Sequence, residues 1–318
     1  MKDGEDWVDI IACPYCLGTL TKCNGELGGF RCELCGTLYP ITNNGAWDLR
    51  LRHDKEVRYV MKIPPPPVSE HGYQLLKSNP QPEVDFSKIS LKQHLSKELS
   101  TYFPKGGPGK IVLDLGCGDE KHRGTCEYAE FQYVGIDYDN PGASILGDAH
   151  ALPLKSESVD FILCLTVLEH IRYHQIMMEE AFRVLKPGGL FLGTSAFLEP
   201  FHSDSYYHST HLGLYNSLTD GGFDVQMIAP YTNWSGLKAI THMKLFPLMP
   251  NVLKNILIYP LILLSNMYWK LGSKLDSRMS FNRFVWETAG SFAFIAGKNS
   301  KKNLVKQRMD EGGNSNNP

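Results

Sequence analysis

Two Cys-x-x-Cys pairs, Cys13-Pro-Tyr-Cys16 and Cys32-Glu-Leu-Cys35, stand 15 residues apart near the start of the chain. Each pair forms a tight knuckle that presents two sulfurs to one ion. Two knuckles on facing turns complete a tetrahedral zinc site. The competing reading is two disulfides or free buried thiols. Met1–Asp6 is acidic and no apolar run precedes Cys13, so no secretory signal is expected. A cytoplasmic, reducing setting favours metal over oxidation. A closed four-cysteine site has no open position, so the zinc expected here is structural. Residues 1–48 build little core alone, and the metal would substitute for one. Cys23 lacks a partner at suitable spacing and reads as a bystander.

The stretch Ile11-Ala-Cys-Pro-Tyr-Cys-Leu-Gly-Thr-Leu20, with Cys32-x-x-Cys-Gly-Thr-Leu-Tyr-Pro-Ile41 and Gly45-Ala-Trp-Asp-Leu49, resembles a small zinc-ribbon family. Members of that family include the activator subunit of tRNA and translation-factor methyltransferases. The resemblance implies a module that supports a methyltransferase, as a partner or fused to it.

The chain has 318 residues, 42% hydrophobic and 21% charged, which excludes a wholly disordered, collagen-like or coiled-coil protein. Its net charge of −2 gives no polycationic field for nucleic acid. The charge is unevenly placed. Residues 1–48 carry three basic side chains against seven acidic ones, whereas residues 238–283 carry seven basic against one acidic.

Residues 49–89 are polar and broken, and the run Pro64–Pro67 favours a stiff spacer, so this piece reads as a linker. Ser90 with Gln93 fits a capping box, and Leu91, Leu95, Leu99 and Tyr102 recur at helical spacing, which predicts a helix from Ser90. Ile111–Leu115, Tyr133–Asp137, Phe161–Leu165, Leu190–Thr194, Phe223–Ile228 and Ser291–Ala296 read as strands. Leu168, Ile171, Met178, Ala181, Phe182 and Leu185 mark one face of a helix, which Lys186-Pro-Gly-Gly189 stops. Strands alternating with helices predict a mostly parallel, doubly wound α/β sheet. Residues 298–318 read as a disordered tail.

Ile111-Val-Leu-Asp114-Leu-Gly116-Cys117-Gly118 places a glycine turn after the first of these strands. Such a loop lets the backbone approach a ligand closely, but dinucleotide-binding domains use similar loops. Asp114, Asp119 and Glu120 would repel a diphosphate and suit a cationic ligand. Asp137 ends the next strand, where a carboxylate meets a ribose diol. Gly147-Asp148-Ala149-His150 and Ser158-Val-Asp160-Phe-Ile-Leu-Cys-Leu165 follow. Taken singly, Asp137 or Asp148 is as easily a helix cap or turn acid.

The ordered run resembles class I S-adenosylmethionine-dependent methyltransferases of the small-molecule type, over roughly residues 85–228 plus the last strand. The resemblance implies a Rossmann-like, seven-stranded methyltransferase sheet over residues 90–297. It implies that Asp114, Gly116 and Gly118 line the methionine moiety, with Cys117 contributing backbone. It further implies that Asp137 holds the ribose and Tyr138 flanks the adenine. Asp148 and Ala149 then bond the adenine edge, and Leu165 and Thr166 close over S-adenosylmethionine.

An oxygen acceptor needs its proton removed, and candidate bases lie past the fourth and fifth strands. Glu169-His170 forms one group. Glu199, His202, Asp204, Tyr206, Tyr207, His208 and His211 form another. His170, His202 and His208 are the candidate catalytic residues; the alternative is a surface loop with capping histidines. A metal on His202, His208 and His211 fits no standard spacing.

Residues 230–285 read as an inserted helical lid over the acceptor pocket. Ile256–Leu264 is a run of nine apolar residues, short of the roughly 20 that span a bilayer. Its basic flanks and aromatic residues also suit an interfacial helix, so 238–283 is a candidate for peripheral contact at the inner membrane face. The leading expectation is methylation of a small-molecule, sugar or glycan-precursor, or lipid-linked acceptor. One alternative is an RNA methyltransferase gripping nucleic acid through the ribbon, against which the acidic ribbon argues. Another is a cofactor-binding assembly protein without turnover. The acceptor and the oligomeric state are not encoded in any motif.

Overall fold

A computed structural model describes residues 8–23, 28–59, 82–231 and 234–299. The proline run 64–67 and the tail from residue 300 lie outside these residues. The cysteine-rich head holds β1 (Leu20–Lys22), β2 (Phe30–Cys32) and β3 (Leu38–Tyr39), which form a small antiparallel sheet, followed by β4 (Trp47–Asp48). Then come α1 (Lys97–Ser100), β5 (Ile111–Leu115), α2 (Arg123–Tyr128), β6 (Gln132–Asp137), β7 (Ile145–Leu146) and β8 (Val159–Cys164). Next are α3 (His174–Val184), β9 (Leu185–Ala196), α4 (His211–Asp220) and β10 (Asp224–Pro230). Last are α5 (Gly236–Ile240), α6 (Asn251–Leu275), α7 (Phe281–Glu287) and β11 (Ser291–Gly297).

The main sheet has the order β10-β11-β9-β8-β5-β6-β7-β4. Only β11 runs against its neighbours. Every residue of β5 and β11 is buried, as expected for strands covered on both faces. Helix α3 turns Met177, Met178, Ala181 and Val184 inward. It ends at Val184 because Lys186 precedes a proline and is driven toward extended backbone; Lys186–Gly189 then run within β9.

Seven strands come from the α/β region, as expected, and an eighth comes from the head. Trp47 and Asp48 pair in parallel with Ile145 and Leu146, and Ile11 bridges Leu154. Cys13, Phe30, Tyr39 and Leu49 join the same apolar core as Leu113, Val134 and Ile136. Residues 49–55, expected as linker, are therefore part of the fold. Leu49 is fully buried, Arg50 and Arg52 pair with Asp48, and Lys55 donates to the Pro14 carbonyl. Val84 and Phe86 are buried as well.

The helix expected from Ser90 is a single turn, α1, capped by Ser96, whose hydroxyl accepts from the Leu99 amide at 3.1 Å. His94, at φ 68°, breaks the run, yet Leu95, Leu99 and Phe103 are all buried, so the apolar spacing keeps its burial where the helix itself is interrupted. Lys298, assigned to the tail from sequence, is buried. Its Nζ donates to the Phe182 and Leu185 carbonyls at 2.9 and 2.8 Å.

The insertion is helical: α5, a π turn over Thr241–Leu245, then α6 and α7. Helix α6 continues through Pro260 for 25 residues, about 37 Å at 1.5 Å per residue. The unbroken apolar run Ile256–Leu264 is only the middle of this helix. The whole helix is long and apolar enough, by length and composition, to cross a membrane. Only Lys254 and Ile258 are buried along it, while Leu253, Leu257, Leu261, Leu264, Tyr268 and Leu271 are exposed.

Candidate cofactor, acceptor and metal sites

The four head cysteines place their sulfurs within 4.8 Å of one another, with Cys13–Cys35 at 3.6 Å and Cys16–Cys32 at 3.4 Å. A tetrahedral ion with metal–sulfur bonds of about 2.3 Å holds its sulfurs roughly 3.8 Å apart, so the donor set fits zinc. The hydroxyls of Tyr39 and Thr37 lie 3.1 and 3.2 Å from the Cys13 and Cys35 sulfurs. Such contacts orient thiolate ligands.

The candidate cofactor residues gather at the carboxyl edge of the parallel strands. The loop after β5 turns through Gly116 at φ +74° and Gly118 at φ +56°. A Cβ on Gly116 would sit 2.3 Å from the Val167 side chain, so only glycine lets the β8 loop close on this turn. Asp137 braces it. Its carboxylate accepts from the Gly118 amide at 2.9 Å and from the Asp139 and Asn140 amides at 3.2 and 3.1 Å. Cys117 is buried and donates its amide to the Ile136 carbonyl.

Asp114 is 2% exposed, and its carboxylate accepts from the Tyr133 hydroxyl at 2.7 Å. Burial, reinforced by the charges of Glu120 and Asp137, pushes its carboxyl up to about 7 against that hydrogen bond. Glu120, at the place of a third glycine, is tied down by Arg123 at 2.7 Å and by the Ser144 amide at 2.8 Å. Lys121 is likewise paired with Asp119. The loop thus offers an acidic wall whose nearby cations are already paired, which suits a sulfonium with an ammonium tail better than a diphosphate.

Asp148 follows β7 and accepts from the His150 amide at 2.8 Å; the His150 ring lies 2.7 Å away. Burial opposes its ionisation, but the His150 contacts outweigh burial and hold the carboxyl below the usual range. Tyr138 is exposed, and the Arg50 guanidinium lies 5.9 Å from its ring and donates to its carbonyl. Ala149 packs on the core. Leu165 is buried, and Thr166, at φ 55°, donates its amide to Thr194. All ten residues singled out for the cofactor lie on this edge.

A cavity of about 1200 Å³ opens on the same edge, between the ends of β9 and β10 and the helices α5, α6 and α7. Phe197, Tyr231, Trp234, Ile258 and Phe284 give it a mainly apolar wall, and Glu199 supplies a carboxylate. The Trp234 indole donates to Glu199 at 2.8 Å. Burial raises the Glu199 carboxyl above its ordinary range, against the indole contact and the charges of His202 and His208.

None of the three histidines chosen from sequence lines this cavity. His170 and His202 meet edge to face at 5.2 Å beside Glu169. The His208 Nδ1 lies 3.2 Å from the Phe197 carbonyl. His211 packs on Trp286 and Phe292. Glu199 was visible in sequence only as one member of a polar group. Its place in the wall depends on Trp234, 35 residues on, for which no motif exists.

Residues 113–193 match the sequence profile of a family described as a methyltransferase domain. A probable S-adenosylmethionine-dependent methyltransferase of Mycolicibacterium smegmatis is 32% identical over 117 residues, covering 30% of this chain and 46% of that protein. An uncharacterized methyltransferase of Mycobacterium leprae is 30% identical over 131 residues, covering 36% and 48%. The chain spans about half the length of these curated relatives. Among solved structures, phosphoethanolamine N-methyltransferase 2 of Haemonchus contortus, in complex with S-adenosyl-L-methionine, aligns with a TM-score of 0.41. That alignment has 18% identity and covers 64% of this chain and 51% of that one. The segment 113–193, set in this sheet, is a methyltransferase domain of the class I S-adenosylmethionine-dependent type.

Proposed function

We propose that the protein methylates a hydroxyl of an amphiphilic acceptor, a lipid-linked or glycan-precursor molecule, held in the cavity under α5–α7. The observation that carries this reading is that one apolar cavity shares its sheet edge with the Gly116–Gly118 loop and is walled by α6, whose opposite face is exposed. An aqueous sugar alone has no use for such walls, whereas an acyl or prenyl chain does.

S-adenosylmethionine, when bound, supplies an electrophilic methyl group, whose bond to sulfur breaks with its electron pair passing to sulfur as the acceptor oxygen takes the carbon. The chain's own residues position and deprotonate. Asp114 faces the ammonium end, Asp137 shares its carboxylate with the ribose hydroxyls, and Asp148 takes the adenine edge. Glu199, held by Trp234, receives the hydroxyl proton. A carboxyl raised toward neutrality is the better base, because its proton affinity approaches what the transfer needs. The apolar walls exclude water from the reacting centre. The exposed face of α6, with its lysine-rich surroundings, rests on an anionic leaflet and admits the acceptor from the lipid side. The head is held together by zinc on Cys13, Cys16, Cys32 and Cys35.

Labelled S-adenosylmethionine incubated with fractionated cell extract tests the reading. The label is expected in the lipid or lipid-linked glycan fraction. Glu199→Gln should lower transfer by roughly 100-fold or more with S-adenosylmethionine affinity unchanged. Label in the RNA fraction, or full activity in Glu199→Gln, overturns it.

A further inference from the structure

We propose a second metal site, a divalent transition-metal centre formed by Glu169, His170 and His202. It lies apart from the cysteine cluster, at the carboxyl ends of β8 and β9. One donor atom from each residue lies within 4.8 Å of the others. Metal bonds of about 2.1 Å place ligand atoms up to roughly 4.2 Å apart, so closure needs side-chain shifts below an ångström.

Three observations point to a cation. Glu169 is 1% exposed, and neither carboxylate oxygen has a hydrogen-bond partner among the described residues. The nearest amides, its own and that of Ala196, ease its burial without meeting bonding geometry. An unpaired buried carboxylate is costly by several kcal/mol and is retained where a cation answers it. Second, the groups beside it are imidazoles, and no lysine or arginine among the described residues pairs with it. Third, His202 Nδ1 lies 3.2 Å from the Pro200 carbonyl. Donation to that carbonyl fixes the tautomer and leaves the Nε2 lone pair free, the usual support of a metal-bound histidine.

Two imidazole nitrogens and one carboxylate suit manganese, iron, cobalt or zinc better than magnesium or calcium. Three protein ligands leave positions open. The chain fixes them from both sides, since the Glu169 carbonyl accepts from the Tyr206 amide at 2.7 Å and so locks the His202 loop over the β8 turn. None of the three ligands lines the acceptor cavity, so the ion is given no step in the methyltransferase reading. The binding of the ion does not depend on that reading.

Cobalt(II) added to the full-length, zinc-loaded protein is the probe. The expected result is uptake of one further ion, with weak ligand-field bands and without the intense sulfur-to-metal band of a cysteine site. His202→Ala and Glu169→Gln should each weaken uptake by about tenfold or more while both retain zinc and S-adenosylmethionine binding. Absence of a second ion, or cobalt affinity in both variants equal to that of the unaltered protein, overturns the proposal. Cofactor binding without cobalt uptake sinks this inference alone. Failure to bind S-adenosylmethionine at all sinks the methyltransferase reading instead.

Discussion

Trp47 lies in parallel register with Ile145, and its amide donates to the Ser144 carbonyl at 3.0 Å. The head thereby supplies an edge strand of the sheet that carries the candidate cofactor residues. Two residues beyond β7 stands Asp148, and Arg50 of the same head segment reaches the Tyr138 carbonyl. Removing the zinc proposed for the head, by chelation or by Cys32→Ser, should therefore lower the melting temperature of the whole chain in one transition. It should also weaken S-adenosylmethionine binding by about tenfold. Calorimetry giving two transitions, the larger unmoved, with unchanged cofactor affinity, would refute this coupling.

Asp114 should trade stability for binding. Its folded carboxyl is raised to about 7, so it is neutral in both folded and unfolded chains below about pH 4. Above about pH 7 both forms are ionised, and the folded chain has lost the difference, on the order of 4 kcal/mol before relaxation. Without cofactor, stability is expected to fall as pH rises from 5 to 8. Asp114→Asn should flatten that fall and abolish S-adenosylmethionine binding. Denaturant melts at the two pH values, with calorimetric titration of the variant, check both halves.

Glu199 should set an acid limb in the rate. A raised carboxyl is protonated, and idle as a base, at pH values where an ordinary glutamate already accepts a proton. Transfer at limiting acceptor should rise with pH through that group. Trp234→Phe removes the indole donor, which favours the ionised form, so the limb should move to higher pH. A limb that stays in place when Trp234 is changed would assign it to another residue.

Gly116 separates two kinds of strain. Gly116→Ala meets Val167 at 2.3 Å and also forces alanine to φ +74°. The single variant should lose at least about 3 kcal/mol of stability. Adding Val167→Ala removes the methyls at 2.3 and 3.0 Å and leaves the Val167 Cβ position at 3.2 Å, so most of the steric cost should be recovered while the backbone cost of roughly 1 kcal/mol and the loss of the valine's own packing remain. Equal melting temperatures for the single and double variants would show that the close approach carries no weight.

How much of this was readable from residues follows from the range of each interaction. Ile111–Leu115 and Phe161–Leu165 announce themselves because strands buried on both faces need continuous apolar runs. Gly116 and Gly118 do so because positive φ selects glycine. The four cysteines are legible because ligand spacing is local. Ser90 misled because a capping box is a local preference: the chain turns at His94, at φ 68°, and Ser96 rather than Ser90 caps the one helical turn that forms. Trp47 and Asp48, a two-residue strand, carry no periodicity at all. Their pairing with Ile145 and Leu146 is set by the head's fold. The Glu169–His202 approach likewise depends on a loop 33 positions away, at a distance no spacing rule reaches.

The place of β11 has a consequence for how the molecule is made. It lies between β9 and β10, yet it is synthesised after α5, α6 and α7. Until Gly297 has left the ribosome, β9 and β10 each present an unpaired edge, and the greasy face of α6 is already outside. The order of synthesis brings α6 to its surroundings before the sheet can close. A chain stopped short of Ser291 would keep every residue proposed here for cofactor, metal and proton transfer, and still be a sticky, open half-sheet.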